Sequence, residues 1–287
     1  MANCIKCGRQ LPPLSFGKKI CQWCVQHEAA QRGEVVDEPE RVMPAPWVRR
    51  GSQPTISLTQ IIFGANIAVF VAMILANESL EFSTAVSVHF GANLGAYTLS
   101  GEWWRLVTYM FLHGGMLHIF FNMWCLWDLG SLCESLYGRW TYAAIYFTTG
   151  IAGGMASAGW KPGVASVGAS GAIFGLAGAL IASFYLGEFS LPRIAIGGTL
   201  RSLIVFAVFN LFLGGLFPGT DNACHIGGLV SGLVLGAAIA KLAPQPEHAS
   251  RRIALFCIAA VVILGCAVGI AHHYGLPLYF GRSPFQQ

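Results

Sequence analysis

Residues 168–180 read GASGAIFGLAGAL, with a single hydroxyl, that of Ser170, at the head of an apolar, glycine-rich run. Three more polar side chains sit in similar surroundings: His118 and Asn122 in LHIFFNMWCL, and His225 in NACHIGGLVSGLVLG. Each has a bland reading, since a small serine lets helices pack and His or Asn hydrogen-bonds between them. Taken together they supply the parts of an acyl-transfer site. A serine hydroxyl is a weak nucleophile at neutral pH and needs an adjacent base, and the neutral imidazole of His225 suits that role. The developing oxyanion needs donors, for which the Asn122 amide, a His118 N–H and the backbone N–H at Ser170 are candidates. His118 and Asn122 are four residues apart, hence on one face of a helix.

The elements that must position these groups follow from composition. The chain has 287 residues, 55% hydrophobic and 10% charged, with a mean hydropathy of +0.59. A soluble domain carries about 25% charged residues, so an all-α polytopic membrane protein is expected. The net charge of +4 is modest and gives no reason to expect nucleic acid as a partner. The N-terminus is polar and lacks a signal-peptide apolar core, so no cleaved leader is expected. Apolar segments able to cross about 30 Å of hydrocarbon lie near 57–76, 115–136, 140–159, 170–187, 200–217, 223–241 and 252–271. The fourth is short and glycine-rich, which suits a helix buried among others better than one facing lipid.

Seven spans put the two ends on opposite sides. With the N-terminus inside, the cytoplasmic flanks hold Arg49, Arg50, Arg139, Arg193, Arg201, Lys241, Arg251 and Arg252, against Arg105, Lys161 and Arg282 outside. That bias favours a cytoplasmic N-terminus. Ser170, His118, Asn122 and His225 then all fall in the outer half of the membrane at similar depth. The aromatic, charge-poor segment 77–114 becomes a structured and partly membrane-embedded outer loop, which is tolerated where backbone is buried in protein or faces a water-filled cavity.

Small residues recur every four positions on two of these segments: Gly171, Gly175 and Ala179 on the fourth, and Gly228, Gly232 and Gly236 on the sixth. Such stripes let helix backbones approach closely. Pressed together, they would carry Ser170 and His225 towards hydrogen-bond reach.

This combination resembles the rhomboid family of intramembrane serine proteases. The matching pieces are EWWR (Glu102 to Arg105), HGGMLHIFFN with His113, His118 and Asn122, GASG (Gly168 to Gly171), and HIGG before a glycine run. They fall in the family's order and spacing over roughly residues 57–272. The resemblance implies a six-helix catalytic core with an extra seventh span near 252–271. It implies a Ser170–His225 dyad, an oxyanion site using Asn122 and His118, no cofactor for the chemistry, and transmembrane proteins cut near their outer ends as substrates. The outer loop with Trp104 and Arg105 would be structural. Some family members carry a tyrosine one turn after the serine, beside the histidine; this chain has Phe174, which keeps a ring but no hydroxyl. The expected home is a bacterial-type cell membrane.

Other polar residues read differently. Asp221, one turn before His225, is better a helix cap than a third catalytic group. Glu134 is expected to be an internal hydrogen-bond partner, His113 to brace the loop, and Asp128 to lie too deep for the outer site. The α/β-hydrolase motif G-x-S-x-G is excluded, because its fifth position is Ala172 and no strand precedes the serine.

A separate unit stands at the N-terminus. Cys4-x-x-Cys7 and Cys21-x-x-Cys24 can form two knuckles whose four thiolates would give a closed tetrahedral zinc site, the alternatives being a redox dithiol pair or free thiols. Residues 1–25 thus form a zinc-ribbon-like module, 26–55 a polar linker, 56–273 the membrane domain and 274–287 a tail. So short a module has almost no core, and metal would supply much of its folding energy. Its closed ligand set suits a structural role and a cytoplasmic protein partner. The remaining cysteines, Cys125, Cys133, Cys224, Cys257 and Cys266, read mostly as buried small apolar residues.

Two other function classes compete with a protease. A catalytically silent relative would bind membrane clients without cutting them, against which the intact Ser170 and His225 argue. A transporter would spread polar residues along a through-path and often shows an internal repeat; here they gather on one side and no repeat is visible.

Overall fold

The computed structural model describes residues 4–7, 20, 24, 28, 32, 56–187, 193–217, 219–242 and 248–274. Cys21, most of the linker and the tail beyond Tyr274 lie outside the described residues. The chain divides into two compact units, residues 1–43 and 44–287.

The larger unit is helical. Helix α1 (Leu58–Asn77) opens with a capping box, in which Ser57 accepts from the Gln60 backbone and Gln60 reaches back to Ser57. The segment 78–114 that follows carries short elements: α2 (Thr84–His89), strand β1 (Asn93–Leu94), α3 (Gly95–Thr98), α4 (Arg105–Thr108) and a 3₁₀ turn at Tyr109–Phe111. β1 pairs antiparallel with β2 (Ala165–Ser166), Asn93 opposite Ser166 and Leu94 opposite Ala165. Next come α5 (Met116–Cys125), a π-helical turn at Leu126–Gly130, α6 (Ser131–Tyr137), α7 (Arg139–Trp160), α8 (Ser170–Leu186), α9 (Arg193–Leu216), α10 (Asn222–Leu242) and α11 (Ala249–His273).

Among the described residues, four stretches are long and apolar enough to cross a membrane by length and composition: α1, Ile196–Leu216 within α9, α10 and α11. The apolar segment expected near 115–136 is one helical run interrupted by the π turn, where Gly130 has no room for a Cβ against the Tyr142 hydroxyl and Thr59. Helix α8 is the hub. Every residue from Gly171 to Leu180 is buried, as its shortness and glycine content suggest.

Why α8 sits at the centre is visible in its seam with α10. A Cβ on Gly228 would overlap the carbonyl oxygen of Gly171, one on Gly232 that of Gly175, and one on Gly236 that of Ala179. The two small-residue stripes therefore meet one to one, backbone against backbone. The end of this seam farther from Ser170 is locked by hydrogen bonds. The Tyr137 hydroxyl lies 2.9 Å from the Ala179 carbonyl and 2.7 Å from Ser183 Oγ, and Ser183 Oγ donates to the Gly236 carbonyl at 3.2 Å.

The segment between α1 and α5 is held by buried polar contacts. Arg105 pairs with Glu102 at 2.6 Å, donates to the Val88 and Ala92 carbonyls at 2.8 and 2.9 Å, and lies over the Trp104 ring. Both partners of that pair are nearly fully buried, and Nη1 of the arginine serves two further carbonyls, which helps a buried charge to be tolerated. Asn93 Nδ2 donates to the Gly154 carbonyl of α7 at 2.8 Å. Glu134 accepts from Leu58 N, Thr59 N and Thr59 Oγ1 at 2.7, 2.9 and 2.8 Å, and so pins α6 to the first turn of α1.

One expectation is corrected. Cys133 and Cys224 are buried and Cys125 is partly so, but Cys257 and Cys266 are exposed. Helix α11 packs through one face only, with Ile263, Ala267, Ile270 and Ala271 against Leu99, Leu106, Met155 and Ala158, and these two cysteines lie off that face.

Candidate active site

Ser170 is the first residue of α8, and nothing caps that helix start by a side chain. Its first-turn N–H groups are thus not consumed by a cap, and the helix dipole adds partial positive charge there. The turn before it depends on Gly168, whose φ of +124° is rarely adopted by residues with a Cβ.

His225 lies in the first turn of α10. Asp221 caps this helix, its Oδ1 accepting from Cys224 N at 3.0 Å, and its carbonyl accepts from His225 N at 3.2 Å. With the α8–α10 seam closed, His225 Nε2 stands 2.9 Å from Ser170 Oγ. The Phe174 ring stacks on the imidazole, with centroids 4.4 Å apart and planes at 11°. His225 Nδ1 has no hydrogen-bond partner among the described residues, and neither has Asp221 Oδ2. Among the described residues the arrangement is therefore a pair, with no carboxylate completing a triad.

His118 approaches from α5. Its Nδ1 accepts from Gly114 N at 3.3 Å, which leaves the proton of the neutral ring on Nε2. A Cβ built on Gly168 would sit 2.9 Å from that Nε2 and 3.7 Å from Ser170 Oγ. The absent Cβ thus leaves an open space between the serine oxygen and a ring N–H donor. The buried Asn122, one turn further along the same face, spends one amide hydrogen on the His118 carbonyl at 2.9 Å and keeps the other. His113 is fully buried, and its ring meets that of His118 edge-on, centroids 5.1 Å apart. It backs the donor histidine.

Chemically, the cluster holds a hydroxyl paired to an imidazole, and donors around a space beside that hydroxyl. These are the requirements of nucleophilic acyl transfer. Residues Tyr109 and Cys224 also enter the surroundings of the pair. The sequence carries no signal for them, since Tyr109 is one aromatic in an apolar run and its partners are far away in the chain.

In the smaller unit, the Sγ atoms of Cys4, Cys7 and Cys24 all lie within 4.8 Å of one another, with Cys4 and Cys24 at 3.9 Å. Four thiolates at about 2.3 Å from a tetrahedral zinc stand about 3.8 Å apart, so the three described thiols fit such an ion. Ile20 packs on Cys4 and Cys24, and Lys6 pairs with Glu28.

The sequence profile of the Rhomboid domain matches residues 100–242. The chain is 33% identical over 242 residues to "Rhomboid protease GluP" of Bacillus subtilis, an alignment covering 84% of this chain and 45% of that protein. It is 31% identical over 234 residues to "Rhomboid protease AarA" of Providencia stuartii, covering 74% of this chain and 81% of that one. It is 32% identical to "Rhomboid-like protease 2" of Toxoplasma gondii, with 72% and 75% covered. The chain thus spans less than half of the Bacillus relative and most of the other two. With the domain matched and such identity over most of both chains, this protein belongs to the rhomboid family.

Proposed function

We propose that this chain is an intramembrane serine endopeptidase that cuts transmembrane proteins near the outer face of the membrane. The observation that carries the reading is the 2.9 Å contact between Ser170 Oγ and His225 Nε2. In the reaction, His225 Nε2 takes the hydroxyl proton as Ser170 Oγ attacks the carbonyl carbon of an unwound substrate segment. The tetrahedral oxyanion occupies the space beside Gly168, where the Ser170 backbone N–H, the His118 Nε2–H and the free Asn122 amide hydrogen bind it. Collapse expels the amine, which leaves with the proton held by His225. Water, deprotonated in turn by His225, hydrolyses the acyl-enzyme. No cofactor takes part in these steps.

In the bilayer, the segment of α5 and α6, together with α7 and α8, completes seven crossings with the four long apolar helices. The N-terminus is cytoplasmic and the C-terminus lies on the opposite side. Cys4, Cys7, Cys21 and Cys24 hold a structural zinc ion, which would stabilise a module too small for a core of its own. That module serves as a docking point for a cytoplasmic protein.

The test is cleavage of a model transmembrane substrate in proteoliposomes by the wild type and by Ser170→Ala and His225→Ala. Cleavage by the wild type alone is expected. Equal cleavage by all three defeats the mechanism, and binding of substrate without cleavage by the wild type favours a silent client-binding protein.

A further inference from the structure

We infer that Tyr109 is a positioning residue that holds Ser170 and His225 in register, with Cys224 as its counterpart on α10. The inference rests on the protease reading above. Tyr109 is fully buried in the 3₁₀ turn between α4 and α5. Its two polar groups act on the two halves of the pair. The backbone carbonyl accepts from Gly168 N at 2.9 Å, two residues before Ser170. The hydroxyl donates to the Gly150 carbonyl of α7 at 2.6 Å and stands 3.4 Å from Cys224 Sγ, the residue before His225. Since the single hydroxyl proton goes to Gly150, the Cys224 thiol is the donor to Tyr109 Oη.

The fit around this contact is close. A Cβ on Gly171 would come within 2.6 Å of Cys224 Sγ and 3.1 Å of Tyr109 Oη, and one on Gly153 within 3.2 Å of the same sulfur. A Cβ on Gly154 would press on the Tyr109 ring at 2.9 Å. The outer turn, α7, α8 and α10 therefore meet at one polar contact beside the Ser170–His225 pair. The inner end of the α8–α10 seam has its own lock at Tyr137 and Ser183. Losing the Tyr109 hydroxyl thus leaves the helices assembled, while the outer end, where His225 must meet Ser170, loses its tie. A small misplacement there slows reaction far more than it weakens the fold.

The experiment measures kcat and KM on a model transmembrane substrate in proteoliposomes, with unfolding midpoints, for Tyr109→Phe, Cys224→Ala, Cys224→Ser and the double variant Tyr109→Phe with Cys224→Ala. We expect Tyr109→Phe to lower kcat about tenfold at unchanged KM, the order expected for losing one hydrogen bond that orients a reacting pair. Its unfolding midpoint should stay within about 3 °C of the wild type. Cys224→Ser, whose hydroxyl donates in the same way, should keep the wild-type kcat, and the double variant should be no slower than the worse single one. The inference is overturned by an unchanged kcat in Tyr109→Phe, by single effects that multiply in the double variant, or by a fall in kcat matched by collapse of the midpoint. A wild type that neither cuts substrate nor reacts with a fluorophosphonate overturns the protease reading itself.

Discussion

The ring of Phe174 lies flat on the imidazole of His225, one helical turn below Ser170 on α8. The stacking fixes the plane of the imidazole, and with it the direction of Nε2, with no hydrogen bond to Nδ1 among the described residues. Aromatic pairs of this kind contribute about 1 kcal/mol beyond burial. Phe174→Leu, which keeps most of the volume and loses the flat face, should lower kcat about fivefold, while Phe174→Tyr should cut at close to the wild-type rate. An undiminished rate in Phe174→Leu would show that the ring does not orient the histidine.

Gly168 has two reasons to be glycine, its φ of +124° and the space its missing Cβ leaves between His118 Nε2 and Ser170 Oγ. The strain of Gly168→Ala is about 1–3 kcal/mol, so the variant should still fold. The added methyl occupies the proposed oxyanion space, and activity should fall by about 100-fold or more. A folded Gly168→Ala protein with wild-type kcat would remove the oxyanion from that position.

The α8–α10 seam makes a different kind of demand. A Cβ on Gly232 would overlap the Gly175 carbonyl, whereas Gly265 on α11 has open space around it. Gly232→Val should separate the helices, abolish cleavage and lower the unfolding midpoint. Gly265→Ala should leave cleavage intact and match or raise stability by up to about 1 kcal/mol. Similar behaviour of the two variants in thermal unfolding would contradict the one-to-one seam.

Glu134 satisfies two backbone N–H groups and a hydroxyl at the start of α1. Glu134→Ala leaves all three without an acceptor, and unpaired buried donors cost about 1–3 kcal/mol each. Its midpoint should fall well below that of the wild type, with Glu134→Gln in between. Equal midpoints for all three would mean that the contact does not hold α1.

For the N-terminal unit, metal analysis should find one zinc per chain, lost in the variant carrying Cys4→Ser and Cys7→Ser. Cleavage by the membrane domain should survive that loss, because the metal plays no part in the chemistry proposed. Absence of zinc from the purified wild type would rule out the ribbon-like module.

The long helices are legible in the sequence because long apolar runs have few alternatives. The segment expected near 57–76 is Leu58–Asn77, and that near 223–241 is Asn222–Leu242. Ends are less legible, since α9 begins at Arg193, several residues before its apolar run near 200, and helical hydrogen bonding does not stop where hydrophobicity does. The pairing of Gly228, Gly232 and Gly236 with Gly171, Gly175 and Ala179 is legible for a simple reason: with equal spacing on two helices, one register lets all three pairs meet at once. The π turn at Leu126–Gly130, the tautomer of His118 and the place of Tyr109 are not legible. Each depends on partners brought in by tertiary packing, such as Gly114 N on one ring nitrogen and the Gly150 carbonyl on one hydroxyl.

The most direct measurement of the central claim is the site at which a fluorophosphonate reacts with the protein in proteoliposomes, read by mass spectrometry of its peptides. The account predicts one adduct, on Ser170, formed by the wild type and lost in His225→Ala. An adduct on another residue, or cleavage that persists once Ser170 is fully modified, would contradict it.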